Sequence, residues 1–240
     1  MINPDKATLR RQLLAARRGV PDRERLNESE QLCAHLADAV GEAKIVAAYV
    51  PIGAEPCSIK GEPCSIKGEP CSIKGEPGSI KGEPGSIKGE PGSPAMLEEL
   101  ARHCETVLVP VACVGPDGEH LPLRWGRYEP GRLVAGLFGL QEPAEPRLPA
   151  EALSEAQVVL VPALAVDRRG VRLGRGGGFY DRSLPLCRPG TRLVAVVRDS
   201  EVLDRLDSEP HDVPMTHALT PGRGLVALSG DPIADGGPST

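Results

Sequence analysis

The chain has 240 residues, of which 40% are hydrophobic and 25% charged, with a formal net charge of −5. The apolar share supports a sizeable core, while the acidic balance gives no general attraction to nucleic acid or to an anionic membrane. The longest apolar run, VVLVPALAV at 158–166, is far short of a bilayer span, and MINPDKATLRRQLL has no signal-peptide core, so a cytoplasmic protein is expected.

From Asn3 to Gly41 the residues Leu9, Leu13, Leu14, Leu26, Leu32 and Leu36 recur at helical spacing. Pro21 and Asp22 divide the run into two predicted helices, the first unusually basic. The segments AKIVAAYV, ETVLVPVACV, HLPLRW, QVVLVPALAV and TRLVAVVR follow in order, short and rich in Val, Leu and Ala, and read as buried strands. Helical stretches separate several of them. The expected fold class is therefore α/β, a three-layer α/β/α Rossmann-like domain with a mainly parallel central sheet, whose ligands bind at the carboxyl ends of the strands.

Between the first and second of these strands stands CSIKGEPCSIKGEPCSIKGEPGSIKGEPGSIKGEP, one seven-residue unit repeated from Cys57 to Pro91. A Pro in every unit excludes a coiled coil, the glycine spacing excludes collagen, and one Ile per unit is too little apolar surface for a solenoid. The expectation is a disordered inserted loop. Taking residues 57–91 away from 240 leaves 205, one ordinary domain, and joins YVPIGAEP to GSPAMLEEL, a strand end, a turn and a helix start. The expected organisation is a single domain over 1–228 with this insert, then a disordered tail over 229–240. Cys57, Cys64 and Cys71 recur only with the unit. The other four cysteines are widely spaced, so neither a disulfide framework nor a zinc site is expected.

The fourth strand runs into VDRRGVRLGRGGGFYDRSLP. Gly174, Gly176, Gly177 and Gly178 let backbone N–H groups approach a ligand closely, and Arg172 and Arg175 supply charge, a combination suited to polyphosphate. A helix from about Phe179 would add its positive end. The spacing matches neither common nucleotide-loop pattern, and on glycine content alone a flexible surface turn fits as well.

Asp-x-x-Gly-x-Arg-Leu-Gly-Arg-Gly-x-Gly-aromatic-Tyr-Asp after a hydrophobic strand resembles the signature of the 5-formyltetrahydrofolate cyclo-ligase family. KATLR at 6–10, AAYVPIGAEP, LPLRWGRYEPG, LFGLQEP and EPHDVPMTHALTP resemble further segments in the family's order. The resemblance implies ATP-dependent closure of 5-formyltetrahydrofolate to the 5,10-methenyl form, with Mg2+ as cofactor, reduced folate and ATP as small-molecule partners, and a monomer. It implies that Lys6 and Arg10 reach the nucleotide phosphates. The stretch Arg172, Leu173, Gly174, Arg175, Gly176, Gly177, Gly178, Phe179 and Tyr180 becomes the ATP cradle, with Arg175 neutralising the transferring phosphoryl group. Val50 and Glu55 line the folate pocket, and Asp181 and Asp212 hold the metal. Phe179 stands where the family usually has a first tyrosine, keeping the ring and losing the hydroxyl, and Gly177 stands where some relatives carry Lys. Trp125 and Tyr128 are candidate aromatic neighbours of the pocket, and for Trp125 a core role fits as well. Because every unit ends Gly-Glu-Pro, Glu90 rewrites the motif around Glu55; Glu55 is the expected folate ligand because a short tether joins it to its strand. A phosphate-binding module without ligase turnover, and a protein whose repeat is an interaction element, are the alternative readings.

Overall fold

The structure, a computed structural model, describes residues 5–52, 55, 95–210 and 212–228. The expectations for the repeat, for Glu90 and for the tail fall outside the described residues.

The basic first helix, α1 (Lys6–Gly19), starts at Asp5, whose carboxylate accepts hydrogen bonds from the Ala7 and Thr8 N–H groups at 2.9 Å. Behind Pro21 come α2 (Asp22–Ala34) and α3 (Leu36–Val40), so the second predicted helix is two, broken at His35. Gly41, at φ 55°, ends α3.

The chain continues through β1 (Ile45–Ala47), α4 (Ala95–His103), β2 (Thr106–Val111), β3 (Arg124–Arg127), β4 (Leu133–Ala135), β5 (Gln141–Pro143) and β6 (Arg147–Leu148). Then follow β7 (Val158–Pro162), β8 (Ala165–Asp167), β9 (Arg172–Leu173), α5 (Phe179–Ser183), β10 (Arg192–Val196), β11 (Val202–Leu203), β12 (His217–Thr220) and β13 (Gly224–Ala227).

Eight strands form one sheet in the order β13-β12-β10-β7-β1-β2-β3-β6. The run from β12 to β2 is parallel, with Val194 opposite His217, Arg192 opposite Val158, Val46 opposite Val158, and Ile45 opposite Thr106. Strands β13, β3 and β6 are antiparallel and lie at the margins. The mainly parallel sheet expected from the sequence is the one observed, because its central strands are buried on both faces and carry no polar alternation. QVVLVPALAV divides at Ala163 and Leu164 into β7 and β8, and HLPLRW enters a strand only at its end.

Side chains alternate across the sheet. Val46, Leu160 and Val194 face one core with Leu32 and Leu36, and with Met96, Leu97 and Leu100 of α4. Full burial of each such side chain contributes about 1.5–3 kcal/mol. Ala47, Val159 and Ala195 face the other core. That face is covered by the 3-10 turns Ala150–Glu155 and Leu184–Leu186, which bring in Leu153 and Leu184, rather than by long helices. Trp125 is fully buried in this second core and Tyr128 in the first, which resolves both aromatics as core residues. No described helix is long and apolar enough to cross a membrane.

Candidate active site

A cavity of about 320 Å³ opens where β1, β2 and β7 end, lined there by Tyr49 and Val50, by Ala112, and by Ala163 and Leu164. It lies at the carboxyl ends of the parallel strands, as the fold class leads one to expect.

One wall is the glycine loop, and its shape begins at Asp167. This fully buried carboxylate accepts hydrogen bonds from the backbone N–H groups of Arg169, Val171 and Leu206, each at 2.9 Å. The Arg169 guanidinium closes on the same carboxylate at 2.9 and 3.1 Å. Gly170 completes the turn at φ 90°, where an added Cβ would lie 2.2 Å from the Met215 carbonyl oxygen, so no other residue fits. The loop then leaves β9 along a path set by these contacts.

Three side chains engage its carbonyls. Arg10 Nε donates to Gly174 O at 2.9 Å, Arg182 Nη1 donates to Gly178 O at 2.9 Å, and His120 Nδ1 lies 2.6 Å from Gly177 O. Gly176 and Gly178 sit at φ 96° and 69°. Among the described residues, the backbone N–H groups of Arg175, Gly176 and Gly177 donate no hydrogen bond. Consecutive free N–H groups on a left-handed turn form an anion-binding concavity. Helix α5 behind the loop has only five residues, so the expected dipole contribution is small and the loop amides carry the site.

Opposite the loop stands Glu55, 7% exposed. Its Oε1 pairs with Arg175 Nη2 at 3.1 Å, and its Oε2 accepts the Ile52 N–H at 3.0 Å. Burial pushes the Glu55 carboxyl above the usual carboxylate range, while Arg175, the Ile52 N–H and Arg17 oppose that rise. The Tyr180 hydroxyl is buried and has no partner among the described residues. Burial, with the Glu55 charge next, pushes it far up, so it remains a neutral donor.

Of the residues expected from the sequence, Val50, Glu55, Arg172, Asp181 and the stretch from Gly174 to Tyr180 meet around this cavity. Leu173 does not: its side chain is buried in a small core with Ala165, Val171 and Leu206, so only its backbone belongs to the loop. Lys6, Arg10 and Asp212 also lie off the cavity wall. Arg10 acts on the loop through Gly174. Lys6 Nζ is paired with Glu209 at 2.8 Å and Asp212 at 3.6 Å, and Asp181 is ion-paired to Arg172. Among the described residues no group of three or more His, Cys, Asp or Glu side chains is arranged to hold a metal.

Three lining residues escaped the sequence reading. His120 stacks on Phe179 with centroids 4.2 Å apart, and Phe138 meets both rings edge-on. Phe138 is 65% exposed at the tip of the β4–β5 hairpin, with φ 57°. Their approach is a tertiary event without a local signal. Arg17 had one: it lies seven residues beyond Arg10, on the helix face that Lys6 and Arg10 share.

Residues 85–221 match the profile of the 5-formyltetrahydrofolate cyclo-ligase family. The 5-formyltetrahydrofolate cyclo-ligase of Mycolicibacterium smegmatis is 46% identical over 93% of this chain and 97% of its own length. The chain belongs to the 5-formyltetrahydrofolate cyclo-ligase family. It is thus a ligase of folate metabolism by kinship, and the Escherichia coli cyclo-ligase is a more distant relative, 31% identical over 53% of this chain and 70% of its own. A solved 5,10-methenyltetrahydrofolate synthetase from Aquifex aeolicus shares the fold, with a TM-score of 0.63 at 24% identity over 93% of this chain and 92% of that one. The cyclo-ligase profile spans the glycine loop and Asp212 but begins after Lys6, Arg10, Arg17 and Glu55.

Proposed function

We propose that the chain converts 5-formyltetrahydrofolate and ATP to 5,10-methenyltetrahydrofolate, ADP and phosphate. One observation carries the reading: the unpaired N–H groups of the glycine loop and the buried carboxylate of Glu55 face one cavity, with Arg175 between them. A site for polyphosphate thus adjoins an acceptor for the N–H groups of a pterin.

The formamide of 5-formyltetrahydrofolate is a poor electrophile. Transfer of the γ-phosphoryl group to the formyl oxygen turns that oxygen into a leaving group; nitrogen 10 then attacks the formyl carbon, the C–O bond breaks, and phosphate departs carrying the proton that nitrogen 10 gives up. The chain's work is alignment and charge neutralisation. The loop N–H groups hold the phosphates, Arg175 leaves Glu55 to meet the transferring group, and Glu55 and the backbone at Val50 orient the pterin. The walls formed by Leu123, Leu164 and Phe179 exclude water from the reacting atoms. Asp181, on the cavity wall, fits Mg2+, which is held by one or two carboxylates together with substrate phosphates, and it would exchange Arg172 for the metal, whereas Asp212 lies off that wall against Lys6. When bound, Mg2+ supplies positive charge to the phosphate oxygens.

The test is absorbance at the methenyl-folate band after mixing the chain with magnesium-ATP and 5-formyltetrahydrofolate. A rise above a heat-killed control is expected, and no rise overturns the proposal. Lys6→Ala is expected to raise the KM for ATP about tenfold, the worth of one exposed charge-assisted phosphate contact. An unchanged KM would return Lys6 to its pairing with Glu209 and Asp212. Glu55→Gln is expected to raise the KM for the folate at least about tenfold, whereas Glu90→Gln leaves it unchanged. The reverse pattern would show that the last repeat unit had taken over the site.

A further inference from the structure

Arg17 is 2% exposed, yet it lines the cavity. Two of its guanidinium nitrogens are fixed from behind. Nε and Nη2 pair with the two oxygens of Glu201 at 2.7 Å, and Nη2 also donates to Ala163 O at 2.6 Å. Glu201 is held in turn by the Arg198 backbone N–H at 2.8 Å. Among the described residues, Arg17 Nη1 has no partner, and it is not among the fully buried unpaired atoms. A rigid cation therefore keeps donor capacity at the edge of the cavity.

Glu55 has a different relation to its other cation. The Arg175 side chain is 46% exposed and sits on the glycine loop, free to swing towards a phosphoryl group. Once it swings, Glu55 keeps, among the described residues, only the Ile52 N–H as a direct partner, and without a second cation nearby a buried carboxylate with so little support would take up a proton. The charged and titratable groups around it are Arg175, Arg17, Tyr180 and, beside Arg17, Tyr49. Arg17 is the one whose position does not depend on the reaction.

We propose that Arg17 is a positioning residue for the folate half of the site, the fixed counter-charge that keeps Glu55 an acceptor after Arg175 has moved to the nucleotide. The inference rests on the function proposed above. It assigns the two arginines divided roles: Arg175 travels with the phosphoryl group, and Arg17 stays with the pterin-binding carboxylate. Removing Arg17 withdraws a cation that favours the ionised form, so Glu55 protonates at higher pH and the acid limb of kcat/KM for the folate moves to higher pH.

Two measurements test this. In the first, the Glu55 carboxyl carbon, assigned by difference from Glu55→Gln, is titrated by 13C NMR in the Arg175→Ala chain. A group still mainly ionised at about pH 7 supports the proposal, and a protonated one overturns it. That signal reads Glu55 whether or not the chain turns over, so failure of the proposed activity and failure of this role are told apart. In the second, Arg17→Gln is expected to raise the folate KM at least about tenfold at about pH 6 and less at about pH 8, with Arg17→Lys, which keeps the charge but not the fork to Glu201, restoring the limb in part. Glu201→Gln breaks the same ion pair from its other side and is expected to lower thermal stability, so its melting curve gives the structural cost of losing the pair. An Arg17→Gln chain with a lowered Tm and an unmoved limb overturns the role. If that chain does not fold, the NMR titration decides alone.

Discussion

Replacing Arg175 with alanine is expected to lower turnover about a hundredfold, close to 3 kcal/mol of barrier, while ATP affinity falls much less. The geometry explains the asymmetry. Arg175 is paired with Glu55 at 3.1 Å. On the proposed mechanism Arg175 leaves this partner only as charge develops on the transferring group. Interactions made mainly in the transition state appear in kcat rather than in binding. Calorimetry with a non-hydrolysable ATP analogue, alongside single-turnover kinetics, separates the two. Lost affinity with unchanged turnover would make Arg175 a ground-state clamp and overturn this role.

Asp167→Ala is expected to be the most damaging single substitution for stability, costing about 4 kcal/mol or more. Three backbone N–H groups, two of them buried, lose their acceptor at about 1–3 kcal/mol each, and the Arg169 guanidinium loses its partner as well. For a domain of this size that corresponds to a fall in Tm of roughly 8–16 °C. Asp167→Asn tests the cause: it keeps one acceptor oxygen and turns the other into a donor facing the Leu206 N–H or the Arg169 guanidinium, so it should lie nearer to alanine than to wild type. A small change in the melting curve of Asp167→Ala would show that other contacts fix the loop.

The sheet was legible because its central strands declare themselves: AKIVAAYV, QVVLVPALAV and TRLVAVVR are short, apolar and bounded by turn residues, and they contain β1, β7 with the start of β8, and β10. The glycine loop was legible as chemistry, since glycines between arginines suit a phosphate whatever the fold. Its support was not. Asp167 looked like one more acid in a motif, and its five hydrogen bonds depend on Leu206 and Arg169 folding back around it. The β4–β5 hairpin was invisible for a similar reason: each strand is three residues long, and Phe138 takes a positive φ that a non-glycine residue seldom adopts. Arg17 shows the converse failure. Arginines on an amphipathic helix read as solvated charge, and only the packing of α1 on the turn at Asp199–Glu201 buries this one. Leu173 was assigned to the cradle by its neighbours, but alternation along β9 turns its side chain into the core.

The single tryptophan gives the molecule a built-in optical reporter. Trp125 is fully buried in β3 beside Pro110 and opposite Leu148, in the core that also receives Phe179 and Tyr180 of the loop. With no second indole in the chain, intrinsic emission comes from one address, and it shifts to the red only when water enters that core. The Asp167 and Glu201 variants can thus be ranked by native fluorescence without any label. A ligand that fills the cavity without loosening the sheet should leave the wavelength of that emission where it was.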